Sequence, residues 1–310
     1  MEALLTLVFL TALLSGAINA AVPLLLAGLG EQVSEKAGVL NIGIQGMMVF
    51  GAYCGFVVAY DTGSFWLGFL AGGLGGVAVA LLMALFCVWL GMNQIVIGIA
   101  LTLGAEGLTA LLHHFHLSQT RPRLDAAPVL PPVLSDLPVV GPILFRHHLL
   151  VYLAVIAVAV MSWVFRRTYI GLNLEAAGHK PAALDTAGIS VQRTRTAAVL
   201  VTGFLAGVGG AYMANVGAGM FEPNPADATG FIGIVLAMLA RGRPFWVLLG
   251  ALMFGVSLAL TTALQVAGLN IPTDVVQMLP FAMVILVLVI FGRHSVLPPA
   301  LGLPYIRGQR

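Results

Sequence analysis

The sequence predicts an all-α polytopic membrane protein with about nine transmembrane helices, within a range of eight to ten. Three observations predict it. The 310 residues are 60% hydrophobic and only 8% charged, with a mean hydropathy of +1.02, whereas soluble domains carry about 25% charged residues. Apolar runs of the roughly 20 residues a spanning helix needs recur along the whole chain. The runs are continuous rather than alternating, which excludes a β-barrel. A single transmembrane domain over residues 1–310 accommodates them all.

Taken in order, the expected spans are about 3–28, 39–60, 64–90, 93–113, 147–165, 195–215, 228–240, 244–266 and 275–292. The first lacks a basic start, since Glu2 is its only early charge, and its apolar run passes any cleavage point. It therefore reads as an uncleaved span rather than a signal peptide. After it stands the knot Glu31-Gln32-Val33-Ser34-Glu35-Lys36, which reads as a solvated turn at an aqueous face. Pro23 and glycines 28, 30, 38, 43 and 46 around it permit close packing or a broken, re-entrant entry to the next span. The 228–240 segment is too short to cross alone and is the other candidate for an irregular helix. Cys54 and Cys87 fall inside apolar runs and read as small core residues.

Charge sets the expected orientation. With the loop at about 166–194 taken as cytoplasmic, eleven of the fourteen Lys and Arg lie inside, and only Arg121, Arg123 and Arg146 lie outside. The N-terminus is then outside and the C-terminus inside. The external loop, about 114–146, is rich in proline, which argues against regular helix and suits a cap over the outer mouth. At the outer membrane boundary where this loop begins, His113, His114 and His116 have no nearby acidic ligand and read as solvated, and no metal site is expected.

The internal loop has a different character. Leu174, Glu175, Ala176 and Ala177 favour helix, Gly178 breaks or caps it before His179, and Pro181 can open a second helix at N1 with Ala182 and Ala183. Gly188 ends that helix. A simple connection needs only two to eight residues. The element is either a surface amphipathic hairpin or a docking knob for a cytoplasmic partner.

A few polar residues interrupt the apolar spans. Asn41 and Gln45 are four apart, which in a helix puts them on one face, where they either line a route or bond a neighbouring helix. Glu106 is the one acidic residue deep in a predicted span and is a functional candidate for that reason. Thr102 and Thr109 stand at hydrogen-bonding positions around it. Asn93, Gln94 and Asn215 are further candidates for a polar lining.

Two segments carry a family resemblance. One is Pro23-Leu24, Gly30, Ser34-Glu35 and Ala37-Gly38-Val39-Leu40-Asn41-Ile42-Gly43, with Gly46-Met47. The other is Ala176, Gly178, Pro181, Ala182-Ala183 and Gly188-Ile189. With weaker agreement at 205–213 and 230–244, the chain resembles the membrane permeases of ABC importers for ribose-like sugars and branched-chain amino acids. It most resembles the subgroup that imports nucleosides with a lipoprotein-type binding protein.

The resemblance implies a permease paired with a second permease, with a heterodimer favoured over a homodimer. Two ATP-binding subunits, or a fused tandem ATPase, would dock on the segment from Glu175 to Gly188, and an external substrate-binding lipoprotein would deliver the solute. It also implies a bacterial plasma (inner) membrane location and no nucleic-acid partner. Two positions depart from the family pattern: Gln45 stands where Glu is expected, and Glu175 where Arg is common. The sequence contains no G-x-x-x-x-G-K-[ST] phosphate loop, so ATP and Mg belong to the partner ATPase and this chain binds no cofactor of its own.

The expected role is therefore a translocation subunit, not an enzyme. Its cargo would be a small neutral polar solute, nucleoside or nucleobase-like, with sugar as a further possibility. The alternative is an ion-coupled secondary transporter using Glu106. A membrane enzyme is disfavoured, because no HExxH, GxSxG or paired intramembrane aspartate occurs.

Overall fold

The computed structural model describes residues 7–120, 122–127, 140–223, 229–266, 278–291 and 297–306. These residues form helices and connections, with no strand among them. The first helix, α1 (Leu7–Lys36), runs 30 residues with Pro23 inside it. It is followed by α2 (Ile44–Thr62), α3 (Phe65–Met83) and α4 (Gln94–His116). A short α5 (Val140–Leu144) precedes α6 (Leu149–Arg167), then come α7 (Tyr169–His179) and α8 (Pro181–Thr186). The chain closes with α9 (Val191–Tyr212), α10 (Thr229–Leu239), α11 (Pro244–Val266) and α12 (Leu279–Phe291).

Among the described residues, seven helices are long and apolar enough to cross a membrane: α1 to α4, α6, α9 and α11. The expected segments at 228–240 and 275–292 are present as α10 and α12, of 11 and 13 residues. Residues 267–277 and 292–296, on either side of α12, lie outside the described residues.

Backbone needs explain why the elements end where they do. In hydrocarbon each main-chain polar group must be satisfied within the protein. Ser64 caps α3, Asn93 caps α4, His148 caps α6 and Ser190 caps α9, each by accepting from a main-chain N–H of the first turn. Two helices loosen at one end into π-helical turns, Ala84–Trp89 after α3 and Met213–Ala218 after α9. Such turns redirect side chains and often mark functional regions.

Glycine fastens the middle of the bundle. A Cβ on Gly55 would meet the Gly68 carbonyl at 2.9 Å, and one on Gly72 would meet the Gly51 carbonyl at 2.9 Å. Gly76 and Gly203 press directly on each other's backbone. Helices α2, α3 and α9 thus touch main chain to main chain, as small residues allow where lipid gives no hydrophobic drive for helix association. The larger side chains pack elsewhere: Leu24, Leu29, Val247, Ala251 and Phe254 bury the contact of α1 with α11.

The charged knot departs from expectation. Residues 31–36 are not a solvated turn but the last turns of α1, with Glu31, Gln32 and Ser34 fully buried and Glu35 nearly so. The turn comes later, at residues 37–43, where Gly38 takes φ +84°. Nor does α1 break at Pro23. The buried side chains explain the continuity. Glu31 accepts from the main-chain N–H of Asn41 through Oε1 (3.0 Å), and Ser34 shares a 2.6 Å hydrogen bond with Thr202 of α9. The protein thus supplies partners for Glu31 Oε1 and Ser34, while Glu31 Oε2, both polar atoms of the Gln32 side chain and Glu35 Oε2 are buried without a hydrogen-bond partner among the described residues.

A half-length helix, a cavity and a clamped hairpin

Gly233 of α10 lies against Ala27 and Gly28 of α1, while Gly242, just beyond α10, lies against Lys36 at the end of α1. Eleven residues rise about 16 Å, about half the hydrocarbon thickness. The described start of α10 therefore lies partway along α1; residues 224–228 before it lie outside the described residues.

Gln45 holds that N-terminus. Its Oε1 accepts from the Gly230 N–H at 2.7 Å, and the side chain is buried. A helix start leaves main-chain N–H groups without intrahelical partners, and here a side chain from α2 supplies one acceptor. No side chain fits at position 230, since its Cβ would meet Gln45 Cα at 2.7 Å.

Beside this contact lies a cavity of about 170 Å³, lined by Gln45 and Met48 of α2, Met213 in the π-helical turn after α9, Phe221, Glu222 and Thr229. One acidic group, an amide, a hydroxyl, an aromatic ring and thioethers thus meet at a helix N-terminus. Phe221 also belongs to an apolar cluster with Tyr53, Phe56 and Leu117 that covers the far end of the bundle. Leu124 joins that cluster, and its N–H donates to the Gly219 carbonyl at 2.8 Å. The described part of the proline-rich loop thus packs over this end; residues 128–139 lie outside the described residues.

The polar residues singled out from the sequence occupy different places. Asn41 is not on the α2 face with Gln45: it sits in the turn before Ile44, fully buried, with its N–H on Glu31 and its side-chain amide against the Met47 sulfur. The chain has not yet become helical there, so spacing by four does not align the two side chains. Gln94 accepts from the Leu40 N–H at 2.8 Å and pins the same turn. Asn93 is the exposed N-cap of α4, bonding Ile95 and Val96. Asn215 donates to the Gly55 carbonyl at 3.3 Å. Of the six candidates, only Gln45 lines the cavity. Glu106 is half-buried on α4. The hydroxyls expected around it are directed to main-chain oxygens, Thr102 to Ile42 and Thr109 to Ala105 and Glu106. His116 bonds the Tyr53 hydroxyl at 2.9 Å.

The hairpin expected at about 166–194 forms as two helices, but Gly178 does not break the first. Helix α7 continues to His179 and ends there because Lys180 precedes proline and leaves the helical region, with φ −143°. Pro181 opens α8 at N1. The Gly188 and Ile189 N–H groups close α8 onto Asp185 and Leu184, with Gly188 at φ +82°. Gly178 is instead buried against the Lys36 carbonyl at the end of α1, where any side chain would collide. Ala177 is buried beside it, Ala176 and Pro181 are half-buried, and Glu175, His179, Ala182, Ala183 and Gly188 face outward. Glu175 pairs with Lys36 at 3.1 Å. Exposed apolar side chains, Tyr169, Ile170 and Leu172, open α7.

Sequence reasoning missed the buried set Glu31, Gln32 and Glu35. Three polar residues at i, i+1 and i+4 share about 100° of a helix surface, which is the signal that could have found them. It also missed Arg195, counted only among the charges on the inner side at the start of the span expected at 195–215. Arg195 is 3% exposed and donates to three main-chain carbonyls, Ala37 (3.0 Å), Leu303 (2.7 Å) and Ala177 (3.2 Å).

Among the described residues, an all-helical bundle with seven helices long and apolar enough to span, and a short helix beginning beside a cavity, defines a multi-pass membrane protein. The chain belongs to the family described as branched-chain amino acid transport system / permease component, whose model matches residues 13–288. It is therefore an ABC importer permease of the plasma membrane, not itself an enzyme. It is 39% identical over 80% of its length to the putative glucose ABC transporter permease protein TsgC13 of Haloferax volcanii, covering 76% of that protein. It is 34% identical to the nucleoside ABC transporter permease protein NupC of Lactococcus lactis, over 93% of this chain and 94% of NupC. With the guanosine ABC transporter permease protein NupQ of Bacillus subtilis it shares 32% identity, over 94% of this chain and 95% of NupQ.

Proposed function

We propose that this permease conducts an uncharged polar solute of the nucleoside or nucleobase class, with sugars as the nearest competing cargo, past the cavity at the N-terminus of α10. The observation that carries the reading is the half-length helix itself. The Gln45 amide and Thr229 supply neutral hydrogen-bonding chemistry beside its N-terminus, and the one acidic side chain in the lining, Glu222, is exposed. Phe221 and the three methionines Met48, Met213 and Met220 add a soft apolar wall, suited to a planar base. Relatives named for nucleosides and guanosine span nearly the whole chain, while the relative named for glucose keeps sugar in contention. Glu106 is not among the cavity-lining residues, which weighs against an ion-coupled route through it.

In this reading α7 and α8 face the cytoplasm, the N-terminus lies outside, and an ATP-binding subunit docks on the outward face carrying Glu175, His179, Ala182 and Ala183. The exposed Tyr169, Ile170 and Leu172 extend that face with apolar surface. A second, non-identical permease completes the pathway, and an external lipoprotein delivers the solute. The test is uptake into proteoliposomes holding the whole complex, ATP and the binding protein, with labelled guanosine, uridine, glucose and leucine offered separately. Nucleoside accumulation that depends on ATP is expected. Accumulation of leucine alone would refute the substrate class, and uptake driven by an ion gradient without ATP would refute the machine.

A further inference from the structure

We infer that Arg195 and the C-terminal segment 298–305 form a strap that locks the α7–α8 hairpin to the turn after α1, so that motion of the hairpin is delivered to the cavity. The inference rests on the reading of that hairpin as the ATPase dock. Three segments distant in sequence meet at one guanidinium: the end of α1 through Ala37, the end of α7 through Ala177, and the tail through Leu303. Helix C-termini carry partial negative charge, so a buried cation is well placed between two of them. A planar fork with five donors can serve three carbonyls at once, which an ammonium on a flexible stem does less well.

The tail adds two main-chain bonds of its own. The Ala300 N–H donates to the Gly178 carbonyl at 3.0 Å and the Gly302 N–H to the Gly38 carbonyl at 3.1 Å. Gly38 can approach because it has no side chain: its Cβ would meet an Arg195 nitrogen at 2.9 Å and Gly178 Cα at 3.1 Å. From the clasped turn a series of buried and part-buried hydrogen bonds leads inward. Leu40 is held by Gln94, Asn41 by Glu31, and two residues into α2 Gln45 holds the N-terminus of α10. Arg195 is thus a positioning residue for coupling: it touches no solute, and acts by making the hairpin and the turn one body.

Two variants in the reconstituted complex test this. Arg195→Lys keeps the charge and loses the fork. Gly302→Pro removes the N–H on Gly38 and forbids the φ of +78° found there, while touching only the half-exposed tail. The reading is solute transported per ATP hydrolysed, measured beside ATPase co-purification and a disulfide crosslink from Ala182→Cys to the ATPase. A drop of at least fivefold in the ratio in both variants, with co-purification and crosslinking intact, is expected. Wild-type ratios in both variants would overturn the strap alone. Failure of the Gly302→Pro complex to assemble would overturn it too, by making the tail an assembly element. Absence of the Ala182 crosslink in the otherwise wild-type complex would instead overturn the docking reading, and the strap with it.

Discussion

Replacing Gln45 by leucine isolates a single hydrogen bond at the centre of the proposed pathway. Leucine is apolar and close in size, so the chief loss is the acceptor at 2.7 Å from the Gly230 nitrogen. That contact is buried, and water does not readily replace it. An N–H deprived of its partner in such a place costs about 1–3 kcal/mol. This corresponds to roughly 5- to 150-fold in the equilibrium between seated and displaced α10. Hydrogen exchange read by mass spectrometry on the purified complex should show peptides covering 229–234 exchanging faster by a factor within that range. Uptake should fall in parallel. Gln45→Glu is the control: a carboxylate offers the same acceptor with a charge that the helix N-terminus favours, so exchange there should stay near wild type. If Gln45→Leu exchanges and transports as the wild type does, Gln45 does not seat α10 and the architecture argued for the cavity is wrong.

Other expectations follow from contacts elsewhere. Gly76→Ala forces a methyl group onto the Gly203 carbonyl; overpacking of this kind costs about 1–3 kcal/mol, and the yield of monodisperse protein should drop sharply. Glu175→Gln breaks the ion pair with Lys36, but Glu175 is 52% exposed, so the change in thermal midpoint should be within error, consistent with surface pairs worth about 0–1 kcal/mol. The neutral His148 ring accepts from the Leu150 N–H at 3.1 Å, and burial lowers its affinity for a proton. The unfolded chain then takes up that proton first as pH falls. The ring's contribution is therefore full above the ordinary histidine value of about 6.5 and is lost as pH drops through the lower native value. A His148→Asn variant, which caps without titrating, should show a smaller loss of thermal midpoint between pH 7.5 and pH 5.5 than the wild type (roughly one proton's linkage).

Much of this was legible in the residues. Pro181 opening α8 and Gly188 closing it follow from local backbone chemistry, and the short seventh segment announced itself by length. Gln45 was legible as an amide that must face protein or water, but its partner is 185 residues away, and no local pattern points to Gly230. Gly178 looked like a helix breaker because glycine usually is one; tertiary contact with Lys36 made it a close-approach site instead.

Composition and run length by themselves determined that this chain lives in a bilayer as a bundle of helices, because hydrocarbon admits no other continuous backbone of this apolar kind. The tertiary structure alone decided that residues 31–36 continue a buried helix, that Gln45 seats a half-length helix, and that Arg195 ties three segments together. The physical reason is the same in each case. Ser34, Gln45 and Arg195 are placed by the partners that satisfy them, and those partners come from parts of the chain that only folding brings together.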